Sequence, residues 1–246
     1  MLLSLLKGGD IGSIIISLLL SLPIIILALS FHETAHGYVA WKCGDPTARN
    51  LGRLTLNPLK HLDPVGFFCM MVFGYGWAKP VPVNVRYFRN PRRGMAITAI
   101  AGPAANLLLG LISTFFFGLF AALYNAAGFS SAPRLWLTAL DVICNLCYLG
   151  AVYNFLFMAF NLIPIPPFDG SRVATLFLPQ NIYFGIMRYE RQIMFGLLIA
   201  LMVLSRFGLS PFTWIAENLT ELFFKPFHQL FNKLFLPEDI YHMIYP

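Results

Sequence analysis

Residues 29–41, LSFHETAHGYVAW, close an apolar run that begins near Ile11 and set His32, Glu33 and His36 inside it. Ionisable side chains in a membrane helix are costly because lipid cannot solvate them, so they mark functional positions. The rest of the chain fits a lipid setting. It has 246 residues, 58% of them hydrophobic and 11% charged, with a mean hydropathy of +0.69. Soluble domains carry roughly 25% charged residues. The excess apolar surface needs a bilayer to cover it, and the reading is an integral membrane protein. No Gly/Ser-rich linker, repeat or low-complexity tract divides it, so residues 1–246 are expected to form a single membrane-embedded domain.

The expected fold is an all-α polytopic bundle of about four to six transmembrane helices. Residues 11–43 form the first helix. It would run about 50 Å, well beyond the ~30 Å hydrocarbon core, so it must tilt, kink at Pro23 or project from the membrane. Further spans are expected at 95–124, 135–160 and 192–209. The segment 65–88 between the first two core helices is a poor helix, rich in Gly, Pro and β-branched residues. Within it PVPVNVRYF (80–88) alternates, with Val81, Val83 and Val85 on one side. That pattern predicts a small β-hairpin or membrane-embedded loop, with Pro82 restricting it to an edge. The tail at 210–246 mixes Phe, Leu and Trp with Glu217, Glu221, Lys225 and Lys233, the pattern of an amphipathic helix.

The net charge of +6 is unevenly spread. Residues 42–94 hold Lys42, Arg49, Arg53, Lys60, Lys79, Arg86, Arg89, Arg92 and Arg93 against only Asp45 and Asp63. In an apolar chain this is the signature of a cytoplasmic connection rather than a nucleic-acid surface. The turn at 125–134, with Arg134 alone, then lies outside, and the chain break near Asp169 returns to the cytoplasmic side beside Arg172, Arg188 and Arg191. Cys43, Cys69, Cys144 and Cys147 form no secreted disulfide framework, and the C-x-x-C at 144–147 lies in an apolar helix, where small residues pack. No removable N-terminal segment is expected, because the run from Ile11 reaches the histidines without a cleavage site.

His32-Glu33-Thr34-Ala35-His36 is an H-E-x-x-H motif. On a helix the two imidazoles share one face and can reach one ion, while Glu33 stands beside them as a candidate general acid/base. Catalytic zinc takes three protein ligands and keeps one position open, so a third ligand is required. NLIPIPPFDG (161–170) breaks the chain with Pro164, Pro166 and Pro167 and presents Asp169 at the same face. Asp169 is the expected third ligand. His61 is its main rival, and Asp141 sits at the wrong end of its span.

The pairing of H-E-x-x-H with N-x-x-P-x-P-x-x-D-G resembles the site-2 protease family of intramembrane zinc metalloproteases. AGPAAN (101–106) and GWAKPVPVN (76–84) resemble segments of its compact branch, the form without a PDZ or CBS domain. The likeness covers roughly residues 20–190. It implies one Zn2+ per chain on His32, His36 and Asp169, with Glu33 as catalytic acid/base and Asn161 orienting the substrate. It also implies cleavage of the transmembrane segment of a membrane-protein substrate. Asn106, Val83 and Val85 are further candidates for contact with that substrate, though Asn106 could equally serve a helix–helix hydrogen bond. The expected location is the cell membrane, multi-pass, with the active site near the cytoplasmic face. The competing class is a membrane zinc-binding protein, a transporter or sensor, without hydrolysis. Transporters line a path with several ionisable groups, whereas this chain concentrates them at one depth. A zinc-dependent lipid hydrolase and a catalytically silent scaffold rank behind both. Oligomeric state is not encoded in any readable pattern.

Overall fold

The computed structural model describes residues 11–73, 76–129, 132–207 and 211–235. Gly74 and Tyr75 of the expected hairpin segment, Ser130 and Ser131 of the 125–134 turn, residues 208–210 and the tail beyond 235 lie outside that description. The elements are helical: α1 (Ile11–Lys42), α2 (Thr47–Asn50), α3 (Pro64–Phe73), α4 (Pro91–Phe129), α5 (Arg134–Asn161), α6 (Gly170–Val173), α7 (Gln180–Met187), α8 (Glu190–Arg206) and α9 (Pro211–Phe235). Three stretches, Leu18–Lys42, Pro91–Gly128 and Arg134–Asn161, are long and apolar enough to cross a membrane. The fourth expected span, 192–209, is α8. Its 17 residues reach about 25 Å at 1.5 Å per residue, less than a hydrocarbon core. The described residues thus carry three candidate spans rather than four to six.

Local chemistry ends each helix where the site needs it. After Lys42 the chain turns at Gly44, whose φ of 111° ordinary side chains avoid. Asp45 N–H reaches the carbonyl of Ala40 at 2.9 Å and Gly44 N–H that of Trp41 at 3.1 Å, the paired bonds of a Schellman stop. A Cβ on Gly44 would also stand 2.9 Å from the Tyr87 carbonyl. The stop delivers Asp45, fully buried, under the next loop. Helix α4 starts on Asn90, whose Oδ1 accepts the N–H of Arg93 at 3.1 Å, with Pro91 in the first helical position.

The segment expected as a β-hairpin forms none. Among the described residues there is no strand, only an isolated antiparallel bridge between Leu62 and Ala78. Val81 is buried, Val83 half-buried and Val85 exposed. Val85 opens a 3-10 turn, Val85–Tyr87, which ends the alternation. The reason is a shortage of backbone donors. Pro80 and Pro82 have none. Val81 N–H goes to Glu33 Oε2 at 2.8 Å, and Asn84 N–H goes to Asp45 Oδ2 at 2.6 Å. The loop is fastened to one side chain within α1 and one just beyond its end, which takes the place of a β-ladder.

The contacts define two compact units, Met1–Asn106 with Phe157–Pro211, and Leu107–Leu156 with Phe212–Pro246. The second unit has an aromatic core of Ala151, Phe155 and Phe224, flanked by Leu107, Leu111, Phe117, Leu219 and Phe223. Phe155 stacks on Phe223 with centroids 4.5 Å apart, and Gly110 leaves the room that Phe155 fills. Helix α9 contributes Leu219, Phe223 and Phe224 to this core and exposes Leu222, Leu230 and Leu234. Its two apolar faces are consistent with packing on one side and lipid on the other. All the candidate site residues belong to the first unit.

Candidate metal centre

One helical turn separates His32 from His36 in α1, and the geometry follows from that spacing. Their Nε2 atoms are 3.0 Å apart and the rings stand nearly perpendicular, at 87°. Each ring is held from behind. His36 Nδ1 lies 2.7 Å from the Thr98 carbonyl, which can only accept, so Nδ1 carries the proton. His32 Nδ1 lies 2.5 Å from Asn106 Oδ1. The Asn106 amide nitrogen faces the Ala28 carbonyl at 3.4 Å, which fixes that side chain's orientation. Both Nε2 atoms are therefore left with lone pairs, directed at a common point.

Asp169 completes the cluster. Helix α5 stops at Asn161, the prolines carry the chain through 164–167, and α6 begins at Gly170. The turn is tight: a Cβ on Gly170 would sit 2.6 Å from the Ile163 carbonyl, so a residue with a side chain there would push Asp169 out of place. Ser171 Oγ bonds the Phe168 carbonyl at 2.7 Å, and Arg172 N–H bonds the Asp169 carbonyl at 2.8 Å. Asp169 Oδ2 then lies 3.1 Å from each Nε2.

These donors fit a divalent metal. Three atoms that accept and do not donate lie within 3.0–3.1 Å of one another. Ligands at zinc distances in a tetrahedron stand roughly 3.3 Å apart, close to this spacing. Two imidazoles oriented through Nδ1 and one carboxylate are zinc chemistry, and three protein ligands leave a position open. No other His/Cys/Asp/Glu cluster of this kind occurs among the described residues.

Glu33 is buried next to this centre, its Oε2 held by Val81 N–H. His61, the rival ligand, is spent elsewhere: its Nε2 lies 2.7 Å from the Thr55 carbonyl, and its own carbonyl accepts Lys79 N–H at 2.8 Å. Asn161 bonds within its own helix, Nδ2 to the Phe157 carbonyl at 2.9 Å. Val83 and Val85 lie on the loop that begins at Val81 and do not join the cluster. Two contributors escape a sequence reading, and Asn106, named from the sequence for substrate contact or a helix–helix bond, holds a metal-facing ring. Thr98 orients His36 through its backbone, which no side-chain motif reports. Asn106 reaches His32 across 74 residues. Gly102 faces the rings so closely that a Cβ would sit 2.6 Å from His32 Nε2. AGPAAN is thus the wall against which the imidazoles rest.

Comparison with known proteins points the same way. The profile of Peptidase family M50 matches residues 20–205. YwhC of Bacillus subtilis (strain 168), provisionally named a zinc metalloprotease, is 42% identical over 160 residues, covering 64% of this chain and 68% of YwhC. Rip2 of Mycolicibacterium smegmatis, with the same provisional name, is 30% identical over 150 residues, covering 59% of this chain and 52% of Rip2. Rip2 of Mycobacterium tuberculosis is 28% identical over 156 residues, again 52% of its length. The match thus spans about half of the mycobacterial relatives. No solved structure matches the chain significantly.

Proposed function

The chain belongs to peptidase family M50 and is a membrane zinc metalloprotease, and from that premise we propose that it cuts the transmembrane segment of a membrane-protein substrate near the cytoplasmic face of the cell membrane. The observation that carries this reading is the convergence of His32, His36 and Asp169 beside a buried glutamate that none of them uses. The excess of Lys and Arg over 42–94 supports the cytoplasmic placement.

One zinc ion, held by His32 Nε2, His36 Nε2 and Asp169 Oδ2, would bring a water near neutral pKa and polarise the scissile carbonyl. The chain's own groups do the rest. Thr98 and Asn106 keep both imidazoles in the tautomer that ligates, so no reorganisation is needed. Glu33 is fixed through Oε2 by Val81 N–H at 2.8 Å. Its other oxygen is left to take the proton of the attacking water and pass it to the departing amide nitrogen. Gly102 keeps side-chain atoms out of the space in front of the rings.

A transmembrane helix hides its carbonyls in its own hydrogen bonds, so the substrate must be held extended. Residues 81–84 offer a template. Pro80 and Pro82 contribute carbonyls without donors, and Asn84 has extended φ and ψ of −110° and 101°. An extended substrate segment donating its N–H groups to those carbonyls would exchange helix bonds for intermolecular ones. On this reading Val83 and Val85 touch the substrate, and Asn161 would exchange the Phe157 carbonyl for one of the substrate. The test is cleavage of candidate transmembrane peptides by the zinc-loaded protein in lipid nanodiscs. Zinc-dependent cuts inside the apolar segment, absent in Glu33→Gln, are expected. Cleavage that survives this substitution, or cuts confined to soluble flanks, would overturn the proposal.

A further inference from the structure

Arg53 is buried, with 8% of its surface exposed, in a chain where the other cations of the connection are free to lie at the surface. Topology alone asks for no such burial, because the positive-inside bias is satisfied by exposed Lys and Arg. Among the described residues Arg53 pairs with no carboxylate. Its guanidinium makes one protein hydrogen bond, Nη2 to the Lys79 carbonyl at 2.8 Å, and its Nε has no partner. A buried cation without a counter-charge is strongly destabilising.

The setting shows what would compensate it. Arg53 lines a cavity of about 640 Å³ together with Lys60 and Lys79, and no acidic side chain joins them. Neither lysine pairs with a carboxylate among the described residues. Leu51 and Leu59 stand on the same wall, 61% and 77% exposed, among the most exposed apolar side chains of the connection. Three cations demand an anion, and two bare leucines demand something apolar attached to it. In a bilayer one class of molecule offers both.

We propose that this cavity binds an anionic phospholipid, its phosphate held between Arg53, Lys60 and Lys79 and its acyl chain lying on Leu51 and Leu59. Arginine presents a forked donor set suited to phosphate oxygens, and lysines at a membrane surface add attraction to anionic headgroups. The site has a direct link to the candidate active site. The carbonyl that Arg53 holds belongs to Lys79, two residues before Val81, whose N–H positions Glu33. Bound lipid would thus fix the start of the loop that orients the acid/base. The lipid site itself stands on Arg53 and its cavity, whether or not the substrate reading holds.

The experiment is lipid retention by the full chain in an uncharged detergent, read by native mass spectrometry. Phosphatidylglycerol is titrated against phosphatidylcholine with the same acyl chains. The wild type is expected to retain one phosphatidylglycerol and to release phosphatidylcholine. Lys60→Gln with Lys79→Gln, both exposed positions, should weaken that retention by about tenfold or more. Arg92→Gln with Arg93→Gln removes the same charge at the exposed start of α4 and should leave it unchanged. Unchanged retention in the lysine pair, or equal loss in the arginine pair, would overturn the proposal. So would displacement by glycerol 3-phosphate at equal concentration, which would mean a small phosphate ligand. Displacement by an acidic substrate peptide would assign the cavity to the substrate. Peptidase activity is measured separately, so a failed lipid result leaves the protease reading standing.

Discussion

Glu33 Oε2 accepts the backbone N–H of Val81 at 2.8 Å, tying the one acid of the H-E-x-x-H helix to the loop along which a substrate would lie. Glutamine at position 33 keeps an oxygen that can accept this bond but cannot carry a proton to and from the reaction. Glu33→Gln is therefore expected to retain zinc and thermal stability while cleavage falls by at least about a hundredfold. Metal analysis and a peptide-cleavage assay on the same preparation check it. Loss of zinc in this variant would mean that Glu33 is a ligand.

Gly102 separates metal binding from folding. Alanine is the better helix former by about 1 kcal/mol, so Gly102→Ala should fold at least as firmly outside the site. Its Cβ, however, would stand 2.6 Å from His32 Nε2. The expected outcome is a helical, monodisperse protein with strongly reduced zinc content and no cleavage. Normal zinc occupancy would show that the rings have room which the structure does not give them.

Asn106 should matter through His32. Asn106→Ala removes the acceptor that holds His32 Nδ1–H, and zinc affinity is expected to fall about 10- to 100-fold. Asn106→Asp restores an acceptor at the same place and should recover most of it. Competition with a zinc-chelating dye measures both. Equal affinity in wild type and the alanine variant would confine Asn106 to helix packing.

Asp45 holds the loop from the other end. It is fully buried and accepts the N–H groups of Thr47 at 2.9 Å and Asn84 at 2.6 Å, as well as the Thr47 hydroxyl. Asp45→Ala removes the acceptor of two part-buried backbone donors, which costs about 1–3 kcal/mol. Zinc content should be unaltered, while KM for a transmembrane peptide rises as residues 81–84 lose their anchor. A drop in zinc without a change in KM would place Asp45 in the wrong role.

The parts of this molecule legible in the sequence are those with short-range causes. Two histidines four apart share a helix face wherever the helix lies, and Pro164, Pro166 and Pro167 end α5 whatever surrounds them. Apolar length marked three spans. The fourth, expected at 192–209, falls on α8, whose described length is 17 residues. The alternation at Val81, Val83 and Val85 was misleading for a tertiary reason. The donors a hairpin needs are taken by Glu33 and Asp45 or missing at proline, and no local pattern reports which side chain will claim a backbone N–H. Thr98, Gly102 and the contact that Asn106 makes with His32 were unreadable on the same ground. Each acts by facing α1 from α4, a relationship that exists only once the helices pack.

The central claim is that His32, His36 and Asp169 grip one zinc ion, and zinc content per chain tests it most directly. Purified wild type and His61→Ala are each expected to hold one equivalent. Asp169→Ala, folded and in the same detergent, is expected to lose most of it. Full zinc in the Asp169 variant together with its loss in the His61 variant would contradict the account.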